Sequence, residues 1–109
     1  MNWHPINSVE QLEQIKAASF TTPQVIFKHS TTCSISRMAL DRFERADAPE
    51  NVDFHYLDLL NFRAISNEIA DFFQVHHESP QVILIKNEEA IYNASHDGIS
   101  LEKIKQHLI

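Results

Sequence analysis

Cysteine and glycine each occur once in this chain, as Cys33 and Gly98, and basic residues are scarce: nine lysines and arginines stand against fifteen acids, a net charge of −6. A single cysteine forms no intramolecular disulfide, which points to a reducing cytoplasm as the compartment. The shortage of cations, with no basic stripe to compensate, argues against nucleic acid and anionic membrane as partners, since both require clustered positive charge. No apolar run is long enough to span a bilayer, and Met1-Asn2-Trp3-His4-Pro5 lacks the charged and apolar blocks of a signal peptide. Repeats, linkers and low-complexity tracts are also missing.

What is present suffices for a core. Hydrophobic residues make up 43% of the 109 positions and include seven Phe. A chain of this size buries roughly two thirds of its unfolded surface without metal or disulfide staples. One domain over residues 1–109 is expected, and the charge and edges are compatible with a monomer.

Ser8-Val9-Glu10-Gln11 reads as a capping box, after which Val9, Leu12 and Ile15 mark the inner face of a helix. Gln24 to His29 is a short β-branched and aromatic run, hence a strand. Cys33 to about Ala46 follows as a helix with Ile35, Met38, Ala39 and Phe43 inward, closed by Pro49. Val52 to Asp58 alternates as a second strand, and Phe62, Ile65, Ile69, Phe72 and Phe73 then recur at helical spacing. Gln81 to Ile85 is a third strand, joined through Asn87-Glu88-Glu89 to a fourth over Ala90 to Ala94. Asp97-Gly98 turns the chain, and Ser100 caps a last helix whose Leu101, Ile104 and Leu108 face inward. The order αβαβαββα predicts an α/β fold of the thioredoxin-like kind: a central four-stranded mixed sheet flanked by helices, parallel where helices cross over and antiparallel in the closing hairpin.

In such a sheet the loop at the carboxyl end of the first core strand lies at the ligand-binding edge, and Cys33 falls there. Its neighbours are not those of a core cysteine. Val25-Ile26-Phe27 ends in Lys28-His29, and hydroxyls at Ser30, Thr31, Thr32, Ser34 and Ser36 form a polar collar. A helix start favours an anion, because its first N–H groups are unpaired and the dipole is positive there. A thiol held as thiolate is a nucleophile. His29 is a further candidate to stabilise that thiolate, although the end of a strand equally directs it into solvent or core. His76-His77 does not have metal-site spacing, since adjacent side chains on an extended loop diverge and no cysteine pair accompanies them, so no metal is expected.

Ser79-Pro80 stands just before the third strand, where thioredoxin-like proteins place a cis-proline beside the active thiol. That bond exposes the preceding backbone for pairing with a substrate strand, while a proline also simply begins strands. Together, Lys28-His29-Ser30-Thr31-Thr32-Cys33-Ser34-Ile35-Ser36, Arg63 with Ser66-Asn67-Glu68-Ile69-Ala70, His77-Glu78-Ser79-Pro80-Gln81 and Ser95-His96 resemble the monothiol bacilliredoxins, small thioredoxin-like proteins of bacteria that use bacillithiol as their low-molecular-weight thiol. That family usually reads Thr-Cys-Pro-Ile-Ser. Here Ser34 takes the place of the proline, restoring a donor near the sulfur and loosening the first turn.

The resemblance implies removal of bacillithiol from protein mixed disulfides. Cys33 is then the nucleophile, and bacillithiol is a co-substrate with no cofactor bound. Lacking a second cysteine, the chain depends on a free low-molecular-weight thiol, or a thiol on another protein, to clear the Cys33 adduct. Ser36 occupies the position of the resolving cysteine in dithiol relatives, and its hydroxyl or N–H, with Thr32, is expected to hydrogen-bond the sulfur. Ser79 and Pro80 are expected to dock the bacillithiolated client protein, with Ser34 beside the thiol. Arg63, Asn67, His96 and Asp97 are candidates for holding the polar sugar and carboxylates of bacillithiol. Two rival readings remain. One is iron–sulfur cluster handling in the manner of monothiol glutaredoxins, whose usual Cys-Gly-Phe-Ser differs from Cys33-Ser34-Ile35-Ser36. The other is a non-catalytic thioredoxin-like adaptor in which Cys33 is passive.

Overall fold

Every residue of β2 (Gln24–His29) is buried, and so are Gln81 to Ile85 of β4 (Gln81–Lys86), the signature of strands covered on both faces. The two pair antiparallel, Lys28 opposite Gln81 and Gln24 opposite Ile85. β3 (Asp53–Asp58) runs parallel to β2 on its other side, and β5 (Glu89–Ser95) forms a hairpin with β4. The computed structural model describes residues 1–108.

A further strand, β1 (Trp3–Pro5), pairs parallel with β3, so the sheet has five strands in the order β1-β3-β2-β4-β5 and not the expected four. Three residues ending in a proline carry no readable alternation. Tertiary contact holds this segment instead: the Trp3 ring lies about 6 Å from those of Phe27, Phe43, Phe54 and Tyr56, and its Nε1 donates to Glu44 Oε2 at 2.8 Å.

Helices cover both faces. On one, Val25, Phe27, Phe54, Val82 and Leu84 meet α2 (Ser34–Arg45) and α4 (Leu101–Gln106) through Ala39, Leu40, Phe43, Leu101 and Ile104. On the other, Ile26, Leu57, Ile83 and Ile85 meet α1 (Val9–Ala18) and α3 (Arg63–Phe73) through Leu12, Ile15, Ile65, Ile69 and Phe73. Each large side chain so buried contributes ~1.5–3 kcal/mol. The caps are as read: Ser8 Oγ accepts from Gln11 N–H, and Ser100 Oγ from Lys103 N–H. Gln11 reaches back to Asn7 N–H at 2.7 Å and to the Pro5 carbonyl at 2.8 Å, fastening α1 to β1.

Four apolar residues expected inside are exposed: Val9, Ile35, Met38 and Phe72, with Ile35 at 57% and Met38 at 67%. The inner stripe of α2 is instead Ser36, Ala39, Leu40 and Phe43. It is rotated toward a serine because that hydroxyl finds buried partners, as described below. Phe72 lies under the Lys16 ammonium, 3.4 Å from the ring centroid, a cation–π contact at the surface. Among the described residues no helix is long and apolar enough to cross a membrane.

Left-handed backbone is carried by Gln74 (φ 55°), Asn87 (φ 53°), Glu88 (φ 64°) and His96 (φ 53°), while Gly98 lies outside that region. The turn expected at Asp97-Gly98 is a single 3-10 turn over His96–Gly98, and its left-handed residue is His96. Asn87-Glu88 forms the two-residue loop between Lys86 and Glu89, both with positive φ, a geometry that favours Asn-Gly. A non-glycine residue there costs roughly 1–2 kcal/mol, part of which a glycine returns through unfolded-state entropy. The bond from Glu88 N–H to Ser19 Oγ at 2.8 Å is a backbone one and survives substitution. Glu88→Gly is therefore expected to raise the urea unfolding free energy by about 0.5–1 kcal/mol, and an unchanged or lowered value refutes the strain assignment.

Candidate active site

Cys33 is the N-cap residue of α2. Its backbone is extended (φ −103°, ψ 121°), and its side chain makes no capping bond. Its carbonyl accepts from Arg37 N–H at 3.0 Å, and its own N–H donates to the Ser30 carbonyl at 3.2 Å. No acidic residue sits in the first turn of α2, so no side-chain carboxylate from that turn competes for its free N–H groups and positive dipole end. The thiol is half-buried and free, between exposed Thr31, Thr32, Ser34 and Ile35.

Ser36, two positions into the same helix turn, is fully buried (0%). Its hydroxyl lies 2.6 Å from His29 Nδ1 and accepts from Ser30 N–H at 3.1 Å. The hydroxyl expected to serve the Cys33 sulfur is thus engaged by the end of β2, where it ties strand, loop and helix together. His29 is also wholly buried, packed against the Tyr56 ring at 5.6 Å, so of the directions open to it from sequence it takes the core. Burial, with Arg37 second, pushes its pKa below the ordinary value, against the opposing pull of Asp58, Asp41 and Glu44. A neutral imidazole is therefore favoured beside Ser36. Its Nε2 is buried with no partner among the described residues.

The second wall of the site comes from β4. Because β4 is antiparallel to β2 and Lys28 faces Gln81, the loop ending at Pro80 stands at the same sheet edge from which the chain leaves for Cys33. The Ser79-Pro80 peptide is cis. Pro80 is buried, its carbonyl accepts from His96 N–H at 3.1 Å, and Ser79 Oγ is buried without a partner among the described residues. The Gln81 side chain closes the loop, donating to the His76 carbonyl at 2.9 Å and accepting from Glu78 N–H at 3.4 Å.

Arg63 opens α3 just past the carboxyl end of β3, and Asn67 follows one turn later on the same exposed face. His96 and Asp97 are exposed and line, with Ile35, Met38, Ala39 and Arg42, a groove of about 170 Å³ along the outer side of α2. Every candidate residue read from the sequence therefore lies at one edge of the sheet. A larger hollow, about 350 Å³, lined by residues including His4, Gln24, Asp53 and His55, is at the opposite end, where β2 and β3 begin. The residues that sequence reasoning passed over are Lys28 and His77. Lys28 Nζ donates to the Ser66 carbonyl at 3.2 Å and lies 3.4 Å from His77 Nδ1. A lysine inside an otherwise buried strand was the available signal.

This arrangement can expose a sulfur at a helix start beside a polar rim and a backbone edge, with no second thiol in reach. Ser36→Ala would orphan His29 Nδ1 in the interior, at about 1–3 kcal/mol, and leave the half-buried Ser30 N–H without its side-chain acceptor. A loss of about 2 kcal/mol or more in urea unfolding free energy is expected, and a loss under about 0.5 kcal/mol would show that these bonds are not made. Acid provides a second check. Burial holds His29 and His77 below the usual imidazole value and His55 at about 4. The unfolded chain accepts protons near pH 6.5 that the folded one refuses. Stability is therefore full above pH 6.5 and declines from there toward about pH 4. Urea midpoints that stay level from pH 7 to pH 5 would contradict the burial of these rings.

A family model described as "Monothiol bacilliredoxin BrxC" matches residues 4–104. Among solved structures, a thioredoxin-fold protein described as an oxidoreductase superposes with a TM-score of 0.85 at 31% identity, over 98% of this chain and 94% of that one. A thioredoxin of Malassezia sympodialis (TM-score 0.74, 22% identity, 99% of this chain and 88% of that one) shares the fold. So does a thioredoxin of Fasciola hepatica (TM-score 0.71, 18% identity, 96% and 95%). The fold is thus that of thioredoxin, as the order of elements implied, and fold and family together are those of thiol redox proteins. With a family match running over most of its length and its one cysteine at the start of α2, the chain belongs to the monothiol bacilliredoxin family.

Proposed function

We propose that this protein removes bacillithiol from mixed disulfides on client proteins, with Cys33 as nucleophile. The observation that carries the reading is the Cys33 sulfur at the N-cap of a twelve-residue helix, half-exposed, in a chain with no other thiol. Helix-start N–H groups stabilise an anion there, and the missing partner thiol makes the chemistry monothiol.

The Cys33 thiolate attacks the bacillithiol sulfur of the client mixed disulfide. The old S–S bond breaks, the client thiolate leaves and takes up a proton from solvent, and bacillithiol stays on Cys33. A thiolate from free bacillithiol then attacks the bound bacillithiol sulfur, giving bacillithiol disulfide and returning Cys33. Both steps are displacements at sulfur, and their rates depend on the attacking thiolate and on access to the sulfur attacked.

The residues divide by position. Thr32 and Ser34 form the rim at the sulfur, and Ser34 adds an N–H that the family's usual proline lacks. Ser36, through His29 and Ser30, holds the loop that presents Cys33. Ser79 and Pro80 supply the backbone edge for the client. Arg63 offers bacillithiol carboxylates a guanidinium, while Asn67, His96 and Asp97 offer the sugar polar partners. A monomer in a reducing cytoplasm is the setting we propose for this chemistry. The reactants are a bacillithiolated client and a low-molecular-weight thiol.

Incubation with a bacillithiolated model protein, followed by intact mass measurement, tests the reading. Transfer of the adduct to Cys33 is expected, and Cys33→Ser should reduce it to the uncatalysed rate. Unchanged masses for the wild-type mixture would leave the adaptor reading. An iron-dependent visible absorption band after anaerobic reconstitution, without transfer, would favour cluster handling.

A further inference from the structure

Lys28 is a cation in the interior, fully buried (0%) on the central strand. Among the described residues its ammonium meets no carboxylate. Its partners are the Ser66 carbonyl on α3 at 3.2 Å and His77 Nδ1 in the loop before β4 at 3.4 Å, and Ser66 Oγ also approaches that Nδ1, at 3.3 Å. The strand residues opposite Lys28 are Leu57 on β3 and Gln81 on β4, neither ionisable. The remaining charges felt at His77 come from Arg63 on α3 and from Glu78 and His76 of the loop itself. A buried ion without a counter-ion is costly, and an apolar residue would fill the same space at no such cost. What an apolar residue cannot do is join three segments through directed N–H bonds.

We propose that Lys28 is a positioning residue: its ammonium ties β2, which delivers Cys33, to α3, which carries Arg63 and Asn67, and to the His76–Pro80 loop, and so sets the gap in which a client mixed disulfide docks. The occupant of the gap rests on the exchange reading; the tie itself rests on the contacts. For Lys28 to donate to Nδ1, the His77 ring must be neutral with its hydrogen on Nε2. Burial, and next the Lys28 charge itself, push His77 toward that form. Burial likewise lowers Lys28 to about 8, so above that pH the tie loses its charge-assisted bonds. A small reagent that reaches Sγ directly does not use the gap, whereas a client does.

Two second-order rates on the full chain separate positioning from reactivity: transfer of bacillithiol from a bacillithiolated peptide, and alkylation of Cys33 by iodoacetamide. Their ratio cancels the thiolate population at each pH. For the wild type the ratio should be level at neutral pH and fall through about pH 8. In Lys28→Met it should be lower by about tenfold, through KM, and level with pH, with alkylation within about twofold of wild type. His77→Ala should lower it similarly, and decides the matter if Lys28→Met does not fold. Amide hydrogen exchange at His77 and Glu78 should quicken by about tenfold or more in either variant. Equal falls in both rates, or an unchanged ratio with unchanged loop protection, would overturn the proposal. Should the wild type alkylate but transfer nothing, the exchange reading falls, and loop protection alone then supports or overturns the tie.

Discussion

Lys28 and His29 are consecutive residues at the end of a strand whose every side chain is buried. Successive strand residues point to opposite faces, so the two polar heads enter opposite layers. His29 meets Ser36 at the start of α2, and Lys28 meets Ser66 of α3 and His77 of the loop before β4. The polar terminus of β2 is therefore the anchor from which both walls of the candidate site are positioned. It holds because β2 is clamped on either side, parallel to β3 and antiparallel to β4.

Energetics explain why such an anchor is informative. Net stability of a domain this size is about 5–15 kcal/mol. A single unmatched buried polar group consumes about 1–3 kcal/mol of that. An apolar pair at these two positions would pack without the risk, as Ile26 and Phe27 do just upstream. Directed hydrogen bonds instead select one arrangement of strand, helix and loop, which apolar contacts leave free to slide. His29 Nε2 and Ser79 Oγ, both buried without a partner among the described residues, lie along this same edge, near the thiol and the proline loop.

Much of this architecture was readable in the sequence because it follows from apolar periodicity and punctuation. Val25-Ile26-Phe27 and Val82-Ile83-Leu84-Ile85 read as central strands, Ser8 and Ser100 as caps, and Cys33 as the head of a helix. What escaped is what periodicity does not encode. β1 is held by the Trp3 ring against four aromatic neighbours and by pairing to β3, both distant in sequence. The inner face of α2 is not legible from hydrophobicity, because Ile35 and Met38 outrank Ser36 there, yet Ser36 has partners inside and they do not. The placement of His29 and the buried contacts of Lys28 escaped for the same reason: a polar residue's burial depends on its partner's position, which only the fold supplies.

The serine in the resolving position illustrates how monothiol character is built into the packing. A hydroxyl donates and accepts with equal ease, while a thiol does both weakly. The environment of Ser36, an imidazole nitrogen at 2.6 Å and a backbone N–H at 3.1 Å, is therefore one that oxygen satisfies and sulfur does not. Its full burial also keeps it out of reach of anything attached to Cys33 from outside. Under the proposed exchange, an adduct on Cys33 has no internal route of release and must be cleared by a thiol arriving at the exposed rim. The surface around that rim is not uniformly polar. Ile35 and Met38, turned out of the core by the rotation of α2 toward Ser36, line with His96 and Asp97 the groove along the outer side of that helix. The hydrogen bond that takes Ser36 inside is thus also what leaves an apolar strip on the exposed side of the helix that Cys33 caps.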